Sequence, residues 1–299
     1  MNNNKASAAV CPQNNDHLSG DDLIPILNYK NSNHQIMAGY FRDWADTTVN
    51  PTVNKVSYGD LPDCLDIAIA FGNTSDSFWD TFKNEYIPFL HARGTKCIRS
   101  INISQFIDSS YPNTTEGYQE LAQAIADERV FQYGADGIDV DIETSYTGEN
   151  LERVIGVFSH LADIMHNSNL FIIYDTNQTG NTKLFQAVYS KVDYVFVQSY
   201  GRSVSGLQNT FDTFKDYISP QQYFIGFSFY EENGTHWGDV TEPLEDSRAY
   251  AYATWQPKEG TKGGIFSYAI DRDGVSQGDN TIQSTDYPVT RTLIGVMNP

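Results

Sequence analysis

The 299-residue sequence predicts a single-domain α/β fold, a (β/α)₈ TIM barrel. From about residue 35 onward, short β-branched or aromatic runs alternate with segments of helical period, the pattern of βα units around a parallel sheet. Eight such pairs fall within about 265 residues, which is the arithmetic of a closed barrel. A doubly wound open sheet is the competing fold, but no Gly-rich phosphate loop follows the first run.

Residues 1–30 are polar and Asn-rich and read as an N-terminal tail, leaving 31–299 for the barrel. The expected strands are QIMAGYF (35–41), LDIAIAF (65–71), TKCIRSI (95–101), DGIDVDIE (136–143), LFIIYDT (170–176), YVFVQSY (194–200), QYFIGFSFY (222–230) and GGIFSYAI (263–270). Between the second and third, Phe78, Phe82, Tyr86 and Phe89 recur at helical spacing, with Pro88 predicting a kink or an early stop. A helix is expected over 116–133. The stripe Leu151, Val154, Ile155, Phe158, Leu161, Ala162 and Met165 predicts another. Further helices fit 181–191, 206–218, 244–255 and 286–297.

The formal net charge of −19 disfavours nucleic acid and anionic membranes as partners and is compatible with a neutral substrate such as a carbohydrate. Cys11, Cys64 and Cys97 lack metal-type spacing; one disulfide is possible and none is demanded. No run of about 18 apolar residues predicts a membrane span. The first residues, MNNNKASAAVCPQNND, lack the apolar run of a signal peptide, so the protein stays in the cell or a signal has been removed. Secretion or cell-surface display is the expectation carried forward, with the cytoplasm as the alternative.

The fourth strand carries the chemistry. Side chains of a strand alternate between faces, so Asp139, Asp141 and Glu143 share one face while Ile138, Val140 and Ile142 share the other. In a barrel the branched residues pack against the helices, and the acids point inward and climb to the C-terminal rim, where barrel active sites sit. Gly137 leaves room for a neighbouring side chain or marks a bend. Three readings are open for such a stack: buried structural acids, an oxygen-ligand site for Mg²⁺ or Ca²⁺, and acid/base catalysis by carboxyls that raise one another's pKa.

Asp136-Gly137-Ile138-Asp139-Val140-Asp141-Ile142-Glu143 resembles the Asp-x-x-Asp-x-Asp-x-Glu motif of glycoside hydrolase family 18, whose members are (β/α)₈ barrels with this motif on strand four. Inactive relatives typically lose the last Glu, and Glu143 is present. Chitinases of that family usually carry Met-x-Tyr-Asp on strand six. This chain has Gln198-Ser199-Tyr200-Gly201, similar to the Gln-x-Tyr of the endo-β-N-acetylglucosaminidases. AGYFRDW (38–44), YFIGFSFYEENG (223–234) and WQPKEGTKGGIFSYAIDRDG (255–274) resemble the F-type and S-type endoglycosidases, which favour complex-type N-glycans.

The resemblance implies hydrolysis of the N,N'-diacetylchitobiose core of N-linked glycans on glycoproteins, by a monomer with no cofactor and no metal. A chitinase and a catalytically silent sugar-binding barrel are the alternatives. It implies Glu143 as acid and base, Asp141 as the acceptor of the substrate acetamide N–H, and Asp139 sharing a proton with Asp141. Tyr200 and Gln198 are expected to hold the acetamide. Asp136, out of phase, holds the strand start. Tyr40, Phe71 and Tyr268 near strand ends are candidates to stack on sugar, with Trp44, Tyr230 and Trp237 on the following loops. Asp271, Arg272 and Asp273 are expected on a solvated loop or against sugar hydroxyls. The sequons at Asn73, Asn102, Asn113, Asn177 and Asn233 are expected to stay unmodified, since several fall at strand ends.

Overall fold

The computed structural model describes residue 11, residues 17–73 and residues 75–299. Its strands are β1 (Ile36–Arg42), β2 (Ile67–Phe71), β3 (Lys96–Asn102), β4 (Gly137–Ile142), β5 (Phe171–Thr176), β6 (Tyr194–Gln198), β7 (Tyr223–Ser228) and β8 (Gly264–Tyr268). They pair in sequence order, all parallel, and β8 closes on β1. Each expected run coincides with a strand, although β1 and β3 each extend one residue past their runs, to Arg42 and Asn102. The last residues of the fourth, sixth, seventh and eighth runs have left the sheet, so Glu143 lies just past β4 and Tyr200 and Tyr230 sit on loops above the barrel.

Both faces of each strand are covered, which is why the runs read as nearly continuous apolar stretches. Ala38, Ile67, Ile69, Ile98, Ile173, Phe196, Phe224 and Phe266 fill the interior, while Phe41, Ile138, Val140, Ile142 and Ile225 pack outward. Gly226 makes room inside: a Cβ there would come within 2.2 Å of the Phe266 ring. Gly137 makes room for backbone rather than for the expected side chain, because a Cβ would lie 2.3 Å from the Phe171 carbonyl oxygen of β5.

The helices are α1 (Ile24–Lys30), α2 (Asp76–Thr81), α3 (Ile87–His91), α4 (Thr115–Ala126), α5 (Gly148–Asn167), α6 (Lys183–Val188), α7 (Leu207–Phe211), α8 (Arg248–Thr254) and α9 (Pro288–Met297). Pro88 neither stops its helix nor stands alone. A π-type turn over Phe82–Tyr86 joins α2 to α3 just before it, at the place where the missing proline N–H would break the ladder. The helix expected over 206–218 is cut short: only Leu207–Phe211 is α-helical, and turns follow.

The expected tail is the larger correction. Positions 1–10 and 12–16 lie outside the described residues. Residues 17–30 are packed: Ile26 in α1 is fully buried, and Leu18 N–H donates to Asp63 at 2.7 Å. Lys30 Nζ donates to Leu65 O and to Thr95 Oγ1. Cys11 and Cys64 form a disulfide. The Asn-rich composition hid a short apolar cluster (Ile24, Ile26, Leu27, Tyr29) that was enough to dock a helix. Ile26→Ala should therefore lower the unfolding free energy by about 2–4 kcal/mol in urea titrations, while Ile24→Ala, at a half-exposed position, should change it by less than about 0.5 kcal/mol.

Candidate active site

The acids of β4 occupy successive inward layers. Asp139 lies level with Ser100 of β3 and Ile173 of β5; Asp141 lies level with Asn102 and Asp175. Asp139 is fully buried and accepts two hydroxyls, from Tyr40 at 2.9 Å and Ser100 at 2.7 Å. Burial pushes its carboxyl up to about 8 against the pull of those two donors, and the neighbouring Asp141 adds repulsion. Both of its oxygens thus accept hydroxyls, and its proton affinity is tied to the charge on Asp141 next to it.

Asp141 accepts Asn102 Nδ2 at 3.3 Å and Gln198 Nε2 at 3.2 Å. Burial, followed by repulsion from Glu143, raises it to about 6, and the two amides draw it back. Glu143 stands exposed just beyond the end of β4, with Asn177 Nδ2 3.4 Å from its Oε2. Asn177 is fixed in turn by Arg202, which donates to its carbonyl at 2.6 Å. Two of the sequon asparagines, Asn102 and Asn177, thus reach the acids themselves.

These groups open into a pocket of about 690 Å³ lined by Asp141, Glu143, Asp175, Gln198 and Tyr200 together with an arc of aromatic rings. Ring centroids follow one another from Trp44 to Phe71 (6.0 Å), Tyr268 (5.7 Å), Tyr200 (6.2 Å) and Trp237 (6.0 Å). Tyr40, Phe71, Tyr268 and Trp237 line the pocket. Trp44 borders a smaller neighbouring cavity. Tyr230 departs from expectation: it is buried, packs on His236 and donates its hydroxyl to Asn280, outside the pocket lining.

Stacked carboxyls beside an arc of aromatic rings are the parts from which a carbohydrate site is built. Residues 39–267 match the family described as the endo-beta-N-acetylglucosaminidase EndoS TIM-barrel domain. Endo-beta-N-acetylglucosaminidase F2 of Elizabethkingia meningoseptica is 39% identical over 97% of this chain and 90% of its own length. The chain belongs to the endo-β-N-acetylglucosaminidase family. EndoS of Streptococcus pyogenes serotype M1 is 35% identical over 88% of the chain, which spans only 33% of that protein. An endo-beta-N-acetylglucosaminidase from Cordyceps militaris, solved as a double mutant in complex with fucosyl-N-acetylglucosamine-Asn, superposes with a TM-score of 0.94 at 53% identity, covering 97% of this chain and 100% of that one.

In this endo-β-N-acetylglucosaminidase several residues join the site without having been singled out from sequence. Asp175, the penultimate residue of β5, lines the pocket; its signal was an acid near the top of an otherwise apolar run, LFIIYDT. Glu231, in the loop after β7, also lines the pocket and receives Arg42 at 3.1 Å and the Tyr268 hydroxyl at 3.3 Å. Gln198 was expected on the substrate acetamide, yet its amide N–H groups go to Asp141 and Asp175. Asp271, Arg272 and Asp273 are neither solvated nor in the main pocket. Asp271 pairs with Arg42 at 2.5 Å, Arg272 donates to Tyr230 O, and Asp273 accepts the N–H groups of Val289 and Thr290. Asp136 takes the Cys97 N–H at 2.8 Å and His91 at 2.7 Å at the foot of β4.

Burying Asp139 has a measurable consequence for stability. The folded protein binds this proton more tightly than the unfolded chain, where an aspartate titrates near about 3.9. That stabilisation is complete below about pH 4 and is lost as pH rises through about 8. Asp139→Asn should therefore match the wild type in urea at pH 4 and exceed it at pH 8 and above, by on the order of 5 kcal/mol.

Proposed function

We propose that the chain hydrolyses the β-1,4 bond within the N,N'-diacetylchitobiose core of N-linked glycans on glycoproteins, preferring complex-type glycans, as a secreted monomer. The observation that carries this reading is the vertical pair at the end of β4. An exposed Glu143 stands over a buried Asp141 that two amide donors hold in place, in a pocket shared with Tyr200. The Cys11–Cys64 disulfide supports an oxidising compartment. The Cordyceps militaris complex supports acceptance of a core that carries fucose.

Ordinary retaining glycosidases use a second carboxylate about 5 Å from the acid as nucleophile; family 18 enzymes rely on the substrate instead. In the proposed reaction the acetamide carbonyl oxygen attacks C1 while Glu143 gives its proton to the departing glycosidic oxygen. The C1–O bond breaks and a cyclic oxazolinium forms. Asp141 accepts the N–H of that cation and balances its charge in a site where burial strengthens the interaction. Tyr200, whose hydroxyl is held neutral by burial, donates to the acetamide oxygen. Water then adds to C1 and loses its proton to Glu143, the ring reopens, and the configuration at C1 is retained.

Mass spectrometry of a complex-type glycoprotein after incubation tests the whole reading: one N-acetylglucosamine should remain on each asparagine. Chitobiose released from chitin oligomers alone, or binding without turnover, overturns it. Within the mechanism, Glu143→Gln should lower kcat by about 10³-fold or more. Asp141→Gln should lose hydrolysis of glycoprotein yet still consume a preformed sugar oxazoline as donor.

The pH profile provides an independent check. The assisted step needs Asp141 ionised, so kcat should fall as pH drops through about 6. Asn102→Ala removes a donor that stabilises the anion, and the acid limb of the pH–rate curve should move to higher pH.

A further inference from the structure

The mechanism leaves Asp175 without a task, although it stands level with Asp141 on the adjacent strand and lines the same pocket. It is 3% exposed. Gln198 Nε2 donates to Asp175 Oδ2 at 2.9 Å and to Asp141 Oδ1 at 3.2 Å, so one side-chain amide spans the two carboxyl groups. The donors are unequally shared. Asp139 receives two hydroxyls and Asp141 two amides, whereas Asp175 receives Gln198 alone and its Oδ1 is buried without a partner among the described residues.

Three buried carboxyl groups in adjoining layers do not all carry charge: Asp139 keeps its proton up to about pH 8, and between Asp141 and Asp175 the proton settles where the fewest donors support an anion. We propose that Asp175 is a positioning residue that works as a neutral carboxylic acid, protonated on Oδ1, and through Gln198 holds Asp141 as the ionised partner of the reaction. This rests on the role given above to Asp141. Burial acts in the same direction, lifting Asp175 well above the usual carboxylate range. The titratable groups that act on it are Asp139 and Asp141 on β4 and Glu143 just past its end, all acidic. The hydroxyls of Tyr40 and Tyr200 complete its surroundings. A charged Asp175 would push a second negative charge against Asp141 across a single amide. A neutral one lets Gln198 keep one hydrogen on each oxygen and leaves Asp141 alone to meet the cation.

The test compares Asp175→Asn and Asp175→Ala with the wild type. Asparagine is a neutral replacement of similar shape that still accepts from Gln198, so kcat on glycoprotein and the acid limb of the pH profile should stay close to wild type. Alanine frees Gln198; kcat should fall by about 100-fold with KM little changed, and the acid limb should move to higher pH. Equal losses in both variants would make Asp175 a working anion, and an unchanged kcat in the alanine variant would remove its role; either result overturns the proposal. Difference infrared spectroscopy of wild type against Asp175→Asn at pH 7 keeps the test open even if the alanine variant does not fold. Loss of a protonated-carboxyl band supports the proposal, and loss of a carboxylate band overturns it. That spectrum reports on Asp175 even if the wild type proves inactive on glycoproteins, so failure of this proposal and failure of the functional reading remain distinguishable.

Discussion

Carboxyl groups taken out of water resist ionisation, and the upper half of this barrel is organised around that resistance. Asp139, Asp141 and Asp175 sit in two adjoining layers, and each is answered by uncharged donors rather than by arginine or lysine: Tyr40 from β1, Ser100 and Asn102 from β3, Gln198 from β6. A cation at hydrogen-bond distance would lower these acids towards the ordinary range and hold them charged. Hydroxyls and amides fix their orientation while leaving burial to set the proton count. The arrangement needs a closed barrel, because the donors come from strands far apart in the sequence and only closure brings β1 against the acids of β4. Beside them in the interior, the ring of Phe196 packs on those of Phe224 and Phe266 at 4.6 and 4.7 Å between centroids.

Charged pairs do appear one level up, where loops must be held. Arg42, buried at the end of β1, binds Asp271 from beyond β8 and Glu231 and Glu232 from beyond β7. Asp239 receives the N–H groups of Gly201 and Ser228 and the side chain of Arg248, and Arg248 also donates to Trp237 O. These two networks fix the loops that carry Tyr200, Trp237 and Glu231. The aromatic arc is thereby set before any sugar arrives, which lowers the ordering cost of binding. Buried pairs of this kind contribute little net stability once desolvation is counted, so their value here is geometric.

Strand four was legible in the sequence because two independent periodicities agree there: alternation separates the branched residues from the acids, and the eight-unit count puts the segment in the fourth place. Tyr200 and Gln198 were legible only in company with it. What sequence could not supply was the destination of a polar side chain. Tyr230 and Asp271 lie on loops next to site residues, but one turns down to Asn280 and the other to Arg42, and neither turn leaves a trace in local composition. Asp175 was hidden for the opposite reason. A single acid at the end of an apolar run looks like a strand terminus until its register with Asp141 is known. The N-terminal helix was missed because a short apolar cluster was averaged into a polar window.

That Asp141 lies in β4 and Glu143 just past its end also constrains the chemistry proposed for them. Inward residues two apart on one strand point the same way and are separated by about 6.6 Å along it, so they meet a bound sugar from one side. A carboxylate nucleophile of the ordinary retaining kind has to approach the anomeric carbon from the face opposite the leaving group, whereas the acid must sit beside that group. Stacked neighbours on one strand serve the acid well and the nucleophile poorly. Attack by the substrate's own acetamide removes the conflict, because the nucleophile is delivered by the sugar and the lower carboxylate is needed only to orient and neutralise it. A buried Asp141 whose charge is guarded by neutral neighbours suits that lesser but more demanding role: it has to be an anion at the moment the oxazolinium forms, in surroundings that otherwise favour the proton.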